Sequence, residues 1–130
     1  MARKDLSGVN DLSKLSAADI NEISSVQGEN FSRIKTNQIR NVFSTVNKIR
    51  AMQKKKSAYE NLERELILMK PKLAYAAGRN RDVRPFKDFL ASAIDGVVGA
   101  GESCKTEALN NFFALIESVV AYHKFYGGKE

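Results

Sequence analysis

Few residues in this 130-residue chain could perform catalysis or hold a metal ion. His123 is the only histidine and Cys104 is the only cysteine. Neither can be paired from the sequence with the carboxylate or nucleophile that acid–base or covalent catalysis requires. One cysteine with one histidine also cannot form a structural zinc site. We therefore expect no enzymatic activity, no metal site and no cofactor.

Basic side chains are the most distinctive chemical feature of the chain. Residues 31–56 contain eight of them and no acidic residue: Arg33, Lys35, Arg40, Lys48, Arg50, Lys54, Lys55 and Lys56. Ordinary solvated helices mix Glu with Lys, because opposite charges four residues apart attract each other. In this stretch the cations repel one another, and no acidic residue offsets the repulsion by attraction. We interpret it as a face that binds a polyanion, in preference to a solvated face.

A second basic patch follows between residues 70 and 87, with Asp82 as its only acidic residue. Its members are Lys70, Lys72, Arg79, Arg81, Arg84 and Lys87. Cations close to helix ends suit phosphate groups, because exposed backbone amides at a helix start add to the side-chain charge. Pairing with a helix dipole can account for Lys70 and Arg79, but not for all six. Tyr75, within this patch, can either stack on a nucleobase or lie in the core.

Apolar residues with helical spacing predict the elements that position these charges. Ser16 can cap a helix from residue 17 to about residue 27, which Gly28 ends. A second helix begins near Thr36 and a third covers residues 59–69, where Pro71 forces a boundary. Pro71 opens a short helix over residues 71–77, Pro85 opens one that ends near Val98, and the last runs from about Thr106 to Gly127. We predict an all-α fold, a compact bundle of about five helices with no sheet.

A helical wheel of the second helix separates its apolar and basic residues. At about 100° per residue, Arg40, Lys48 and Lys55 fall within roughly an 80° arc. Arg50 and Lys54 flank the apolar edge instead. The arc centred on Arg40, Lys48 and Lys55 is therefore the predicted binding face.

The length of the chain fits a single domain. Residues 1–15 are polar and predict a loosely ordered lead-in, and residues 16–130 form the helical bundle. The single cysteine is typical of a reducing compartment, and no apolar run approaches the roughly 20 residues that span a bilayer. We expect the protein to be cytoplasmic.

Two strings of residues are more specific than the charge pattern. They are Lys-Pro-Lys-Leu-Ala-Tyr-Ala-Ala-Gly-Arg at 70–79 and Val-Val-Ala-Tyr-His-Lys-Phe-Tyr-Gly-Gly at 119–128. Both closely resemble the small subunit of type III-A CRISPR effector complexes, the helical small subunit of the Csm interference complex. The resemblance covers about residues 36–128, and the first 35 residues match nothing that we can place.

The resemblance implies a non-catalytic subunit of an antiviral ribonucleoprotein. Members of the family are small helical bundles, and several copies stack as the inner filament of the effector. They line the groove in which guide RNA pairs with target RNA, and their basic residues contact the nucleic-acid backbone. Carried over to this chain, the RNA contacts are Lys70, Lys72, Arg79 and Lys124, with Arg40 and Lys48 on the preceding helix. The resemblance leaves open whether Tyr122 and His123 contact RNA or support packing.

Together the charge pattern and the resemblance predict a sequence-independent RNA-binding subunit. Its partners are guide RNA, target RNA, the other effector subunits and further copies of itself along a filament. We expect weak self-association in isolation, of which a dimer formed by helix exchange is one form. The predicted RNA-binding residues are Arg40, Lys48, Arg50, Lys54, Lys55, Lys70, Lys72, Arg79, Arg81 and Lys124. His123 is interpreted as a partly exposed helix residue or an RNA contact.

Two other functions are also compatible with the sequence. One is a helix-turn-helix DNA-binding protein, in which the 71–77 helix, a turn and the Pro85 helix form the motif. The predicted reading helix is largely apolar, which disfavours this alternative. The other is a purely structural adaptor whose basic faces meet acidic protein partners, and this overlaps with the filament role.

Overall fold

Five α-helices joined by short turns make up most of residues 4–128, the part of the chain that the computed structural model describes. They are α1 (Ala17–Asn30), α2 (Thr36–Lys54), α3 (Tyr59–Arg79), α4 (Arg84–Val98) and α5 (Lys105–Phe125). Three single 3-10 turns lie at Leu12–Lys14, Arg81–Val83 and Glu102–Cys104. No strand occurs among these described residues, so the predicted all-α bundle is confirmed.

Helix α5 is the central element of the bundle. It packs against α1, α2 and α4, and it buries eight residues along its length: Ala108, Leu109, Phe112, Phe113, Leu115, Ile116, Val119 and His123. Helix α3 lies further out, where it packs against α4 and α2. This arrangement leaves one side of the α2–α3 pair open to solvent.

Helix α1 extends beyond its predicted end. Gly28 does not stop the helix, which continues to Asn30, because an isolated glycine weakens a helix without breaking it. Gly28 is buried, and a Cβ atom there would lie 2.5 Å from the Cβ of Tyr122 on α5. The glycine therefore permits the close approach of α1 and α5.

Helix α3 is continuous where the sequence predicted a boundary. Pro71 lies inside it, so the predicted separate helix over residues 71–77 is wrong. Proline removes one hydrogen bond, to the carbonyl group of Ile67. The side chains of Ile67 and Pro71 are both exposed, so water can reach this part of the helix and offset the lost bond. Packing of Leu66, Met69 and Leu73 on the core then holds both halves of α3 in one line.

The N-terminal segment contributes to the core. The expectation of a loosely ordered lead-in concerned residues 1–15, of which residues 4–15 are described. Leu6, Leu12 and Leu15 are all buried there. The side-chain amide of Asn111 on α5 donates a hydrogen bond of 2.7 Å to the carbonyl oxygen of Leu12. This segment therefore packs across the end of the bundle against α4 and α5.

Candidate nucleic-acid interface

A groove of about 480 Å³ runs between α2 and α3 on the open side of the bundle. Its apolar lining comes from both helices and from the segments that flank them: Ile34, Val42, Met69, Leu73, Ala76, Val83 and Phe86. Its polar and aromatic lining consists of Gln38, Asn41, Thr45, Lys72, Tyr75, Arg79 and Asn80. Two cations and no carboxylate are present among these lining residues, so the groove favours an anionic or electron-rich partner.

One strip of α3 brings the charged and aromatic groups together. Lys72, Tyr75 and Arg79 are spaced by three and four residues, which places their side chains on one face of the helix. The guanidinium carbon of Arg79 lies 5.8 Å from the centre of the Tyr75 ring, within the range of a cation–π contact. Tyr75 is 69% exposed. The alternative that placed Tyr75 in the core is therefore excluded.

The α2 wall of the groove carries uncharged polar groups. Gln38, Asn41 and Thr45 follow helical spacing beside the buried face of α2. The amide nitrogen of Asn80 donates a long hydrogen bond of 3.4 Å to the amide oxygen of Gln38 across the groove. None of these residues was predicted, because the wheel considered only the apolar and the basic residues of the helix. Their spacing of three and four residues was the signal that could have found them.

The exposed cations of α2 lack carboxylate partners within the described part of the chain. Arg40, Lys48, Lys54 and Lys55 are all exposed, and no ion pair among residues 4–128 neutralises them. Lys48 follows Thr45 by three residues, so it lies about 60° further round the helix, at the solvent edge of the groove wall. Lys55 is the C-terminal cap of α2. Lys48 and Lys55 are seven residues apart and therefore lie on the same side of α2, whereas Arg40 and Lys54 lie further round the helix.

Two of the predicted site residues lie away from the groove and have carboxylate partners. Arg50 forms an ion pair of 3.1 Å with Glu117 on α5, and its guanidinium carbon lies 5.5 Å from the centre of the Phe113 ring. Lys70 forms an ion pair with Asp95 on α4. The structure thus separates Lys70 from Lys72 and Arg79, although all three belong to the same sequence string.

The remaining predicted residues occupy other parts of the surface. Arg81 is exposed in the turn between α3 and α4. Lys124 is exposed in the last turn of α5. Neither residue lines the groove. Arg33 lies in the turn before α2 and not on that helix.

His123 lies in the core of the protein. It is 1% exposed, so the interpretation as a partly exposed residue or an RNA contact is wrong. Its Nε2 atom donates a hydrogen bond of 2.8 Å to the carbonyl oxygen of Ile34, which ties α5 to the turn before α2. The neighbouring Tyr122 hydroxyl donates a hydrogen bond of 2.7 Å to Asn21 on α1. Both residues of this string support packing.

Lys56 holds a conformation that is unusual for lysine. Its φ angle is 61°, and its amide and that of Ser57 donate hydrogen bonds to Gln53 and Met52. These bonds form the helix-ending motif that normally has glycine at this position. At the corresponding position after α5 the chain does have glycine, Gly127, with φ of 80°. The chain therefore carries a cation where backbone preference alone would favour glycine.

Other kinds of site lack support in the structure. Within residues 4–128, no group of three or more His, Cys, Asp or Glu side chains is placed to hold a metal ion. None of the helices in this range combines the length and low polarity that crossing a bilayer requires.

Comparison with known proteins places the chain in a family. A family model described as Csm2 Type III-A matches residues 14–129, so the likeness extends further toward the N-terminus than the expected limit of residue 36. The chain matches no curated protein and no solved structure at a significant level. Because the family match spans most of the sequence, the protein belongs to the Csm2 Type III-A family and is a small subunit of a type III-A CRISPR complex.

Proposed function

We propose that this subunit binds RNA without sequence preference and without catalysing a reaction. In the complex it contacts the phosphate backbone of the target RNA and of the guide–target duplex, while base pairing supplies specificity. This proposal places the protein in the cytoplasm, in antiviral defence. The observation that carries it is the groove between α2 and α3, with the unpaired cations Lys72 and Arg79 on its α3 wall and Lys48 at the solvent edge of its α2 wall.

Paired and unpaired cations differ in the free energy that they gain from contact with a phosphate. A cation that already faces a carboxylate gains little from a phosphate, because it must give up one partner for the other. Lys48, Lys72 and Arg79 have no such carboxylate partner among the described residues. RNA phosphates that approach them can therefore release their counterions without breaking an existing ion pair. We propose these three residues as the central contacts. Arg40, Lys54, Lys55, Arg81 and Lys124 are proposed as contacts further along the strand.

The DNA-binding alternative is not favoured by the geometry. In a helix-turn-helix module α4 would follow α3 as the reading helix. The face of α4 that includes Phe86, Phe89 and Leu90 is buried. Its outer side carries Arg84 and Lys87 as well as Asp88 and Asp95, so it has no excess of positive charge. This helix has too few polar groups to read base edges in a major groove.

A salt series tests the proposal. Binding of a fluorescein-labelled RNA to the full chain should weaken steeply as salt rises, with each phosphate contact adding about 0.7 to the slope of log affinity against log salt for a single strand. The double variant Lys72→Gln, Arg79→Gln should lower that slope by about 1.4. The matched control is Arg50→Gln, Lys70→Gln, which removes the same charge from residues already paired with carboxylates. Equal slopes for the two double variants would contradict the proposal.

We also propose that copies of the chain associate along a filament with the other effector subunits and the guide RNA. Support comes from exposed apolar side chains that a monomer in water leaves uncovered, among them Phe125 at 75% exposure and Ile67 at 41%. Weak self-association of the isolated chain should appear as a concentration-dependent sedimentation coefficient. A chain that remains monomeric at high concentration, or that purifies from its host without guide RNA, would argue against this assembly.

A further inference from the structure

We infer that the α2–α3 groove binds an unpaired nucleobase in addition to the RNA backbone. The inference rests on the proposed function, because it assigns a second ligand group of RNA to the same surface. The observation that supports the base site is a separate one, however. This observation is the uncharged polar and aromatic lining of the groove, which a surface that binds only the RNA backbone does not require.

Tyr75 supplies the stacking surface. The ring is 69% exposed, which is unfavourable for an aromatic side chain unless a partner covers it. The guanidinium group of Arg79 lies over one face of the ring at 5.8 Å, and the ring keeps enough exposed surface for a base to stack on it. A base that stacks on an aromatic ring gains affinity regardless of its identity, which agrees with binding that is independent of sequence.

The groove beside Tyr75 has a volume and a lining that suit a nucleobase. Its volume of about 480 Å³ lies within the usual range of about 300–1,000 Å³ for small-molecule sites. Apolar side chains such as Val42, Leu73 and Phe86 form its floor, and these can cover the flat face of a base.

Side-chain amides line the groove on both sides. Gln38 and Asn41 lie on the α2 wall and Asn80 lies at the end of α3. They offer both donors and acceptors, which match the mixed polar edge of any base. The hydrogen bond that joins Gln38 and Asn80 is 3.4 Å long, beyond the usual range for a strong bond. These amides can therefore exchange this contact for one to a base at little cost.

The position of the cations completes the argument. Lys72 and Arg79 lie three residues before and four residues after Tyr75 on the same strip of α3, so phosphates on either side of an inserted base can meet one cation each. An apolar peptide would fill the floor of the groove but would leave both cations without a partner. Charge complementarity therefore favours a nucleotide as the occupant.

The experiment compares three RNAs with the full chain: a labelled single strand, the same strand in a fully paired duplex, and the same strand with abasic positions. Tyr75→Ala should weaken binding of the single strand roughly 5- to 150-fold. It should leave duplex affinity and the salt slope unchanged, because no charge is removed. Tyr75→Phe should bind like the unmodified chain. The abasic strand should bind more weakly than the intact strand, and Tyr75→Ala should not weaken it further.

The outcomes distinguish this inference from the proposed function. If the single strand binds with a steep salt dependence and Tyr75→Ala has no effect, the base site is refuted and backbone binding stands. If the full chain binds none of the three RNAs at low salt, both are refuted. A matched exposed aromatic outside the groove, Phe125, provides a further control. An equal loss from Phe125→Leu would show that stacking is not specific to the groove and would overturn the inference.

Discussion

Gly28 on α1 and Tyr122 on α5 approach so closely that no side chain fits between them. A Cβ atom on Gly28 would lie 2.5 Å from the Cβ of Tyr122 and 2.9 Å from the backbone nitrogen of His123. Backbone atoms cannot move aside as a flexible side chain can, so any larger residue must push the two helices apart. The contact between α1 and α5 therefore depends on this single glycine.

We expect Gly28→Ala to destabilise the protein by about 1–3 kcal/mol, as overpacking of a well-packed core does. This cost should exceed the roughly 1 kcal/mol that alanine gains over glycine in a helix. Urea unfolding of both proteins measures the difference. Gly78→Ala on α3 is the matched control, because a Cβ atom there would meet no neighbouring element within 4 Å and only the gain in helix propensity applies. Destabilisation by both substitutions would point to a general effect of helix glycines.

The N-terminal leucines should matter to stability as much as those of the helices. Leu12 is completely buried and lies against Gly96 on α4, where a Cβ atom would approach its Cγ within 2.7 Å. We therefore expect Leu12→Ala to cost about 2–5 kcal/mol, as for other buried leucines. Thermal and urea unfolding would measure the loss, with the exposed Leu68→Ala as a near-neutral comparison. A loss below about 0.5 kcal/mol at Leu12, the size expected of a surface substitution, would instead fit a loose lead-in.

His123 should behave as a structural residue. Replacing it with alanine leaves the carbonyl group of Ile34 without its hydrogen-bond donor, at about 1–3 kcal/mol for a buried group, and opens a cavity that adds to this cost. Lower stability should therefore accompany His123→Ala. RNA affinity, measured at a temperature where the variant is fully folded, should stay unchanged.

The converse result would restore a binding role for this histidine. Lys124→Gln, at the next residue and exposed, is the matched comparison: it should cost less stability than His123→Ala, because it opens no buried cavity. Its effect on RNA binding should appear in the salt slope, because it removes a charge. A stable His123→Ala variant with weakened RNA binding would contradict the structural assignment.

Local sequence patterns predicted the elements of the fold better than their ends. The apolar spacing of Ile39, Val46 and Ile49 identified α2, since burial of one face repeats with the helical period. Gly28 and Pro71 gave wrong boundaries, because both were read from intrinsic propensity alone. The contact of Gly28 with Tyr122 lets α1 continue past the glycine. Packing of the residues on both sides of Pro71 lets α3 continue through the proline. Contacts between distant residues are not visible in a local pattern.

The candidate site was also predictable only in part, because some of its features depend on contacts between distant residues. Charge counting found Lys48, Lys72 and Arg79, because an excess of cations is a property of the sequence itself. It could not separate these from Arg50 and Lys70, whose partners Glu117 and Asp95 come from other helices. Gln38 and Asn80 were missed since uncharged polar residues become a groove wall only when α2 and α3 are paired.

Lys56 provides a test in which stability and binding should change in opposite directions. A non-glycine residue with φ of 61° carries a backbone cost of roughly 1–2 kcal/mol, which the greater freedom of glycine in the unfolded chain partly offsets. Lys56→Gly should therefore raise the free energy of unfolding by about 0.5–1 kcal/mol, the difference between these two effects. It also removes a cation of the acid-free stretch, so RNA affinity should fall.

Lys56→Ala separates the two effects, because it removes the same charge and keeps the unfavourable φ angle. It should lower RNA affinity as much as Lys56→Gly does, with no gain in stability. Gly127→Ala, at the equivalent position after α5, should destabilise the protein by about 1 kcal/mol, since alanine there takes on the cost that glycine avoids. Urea unfolding and RNA titration of the three variants decide the matter. If Lys56→Gly binds RNA as well as the unmodified chain, the lysine is not retained for its charge.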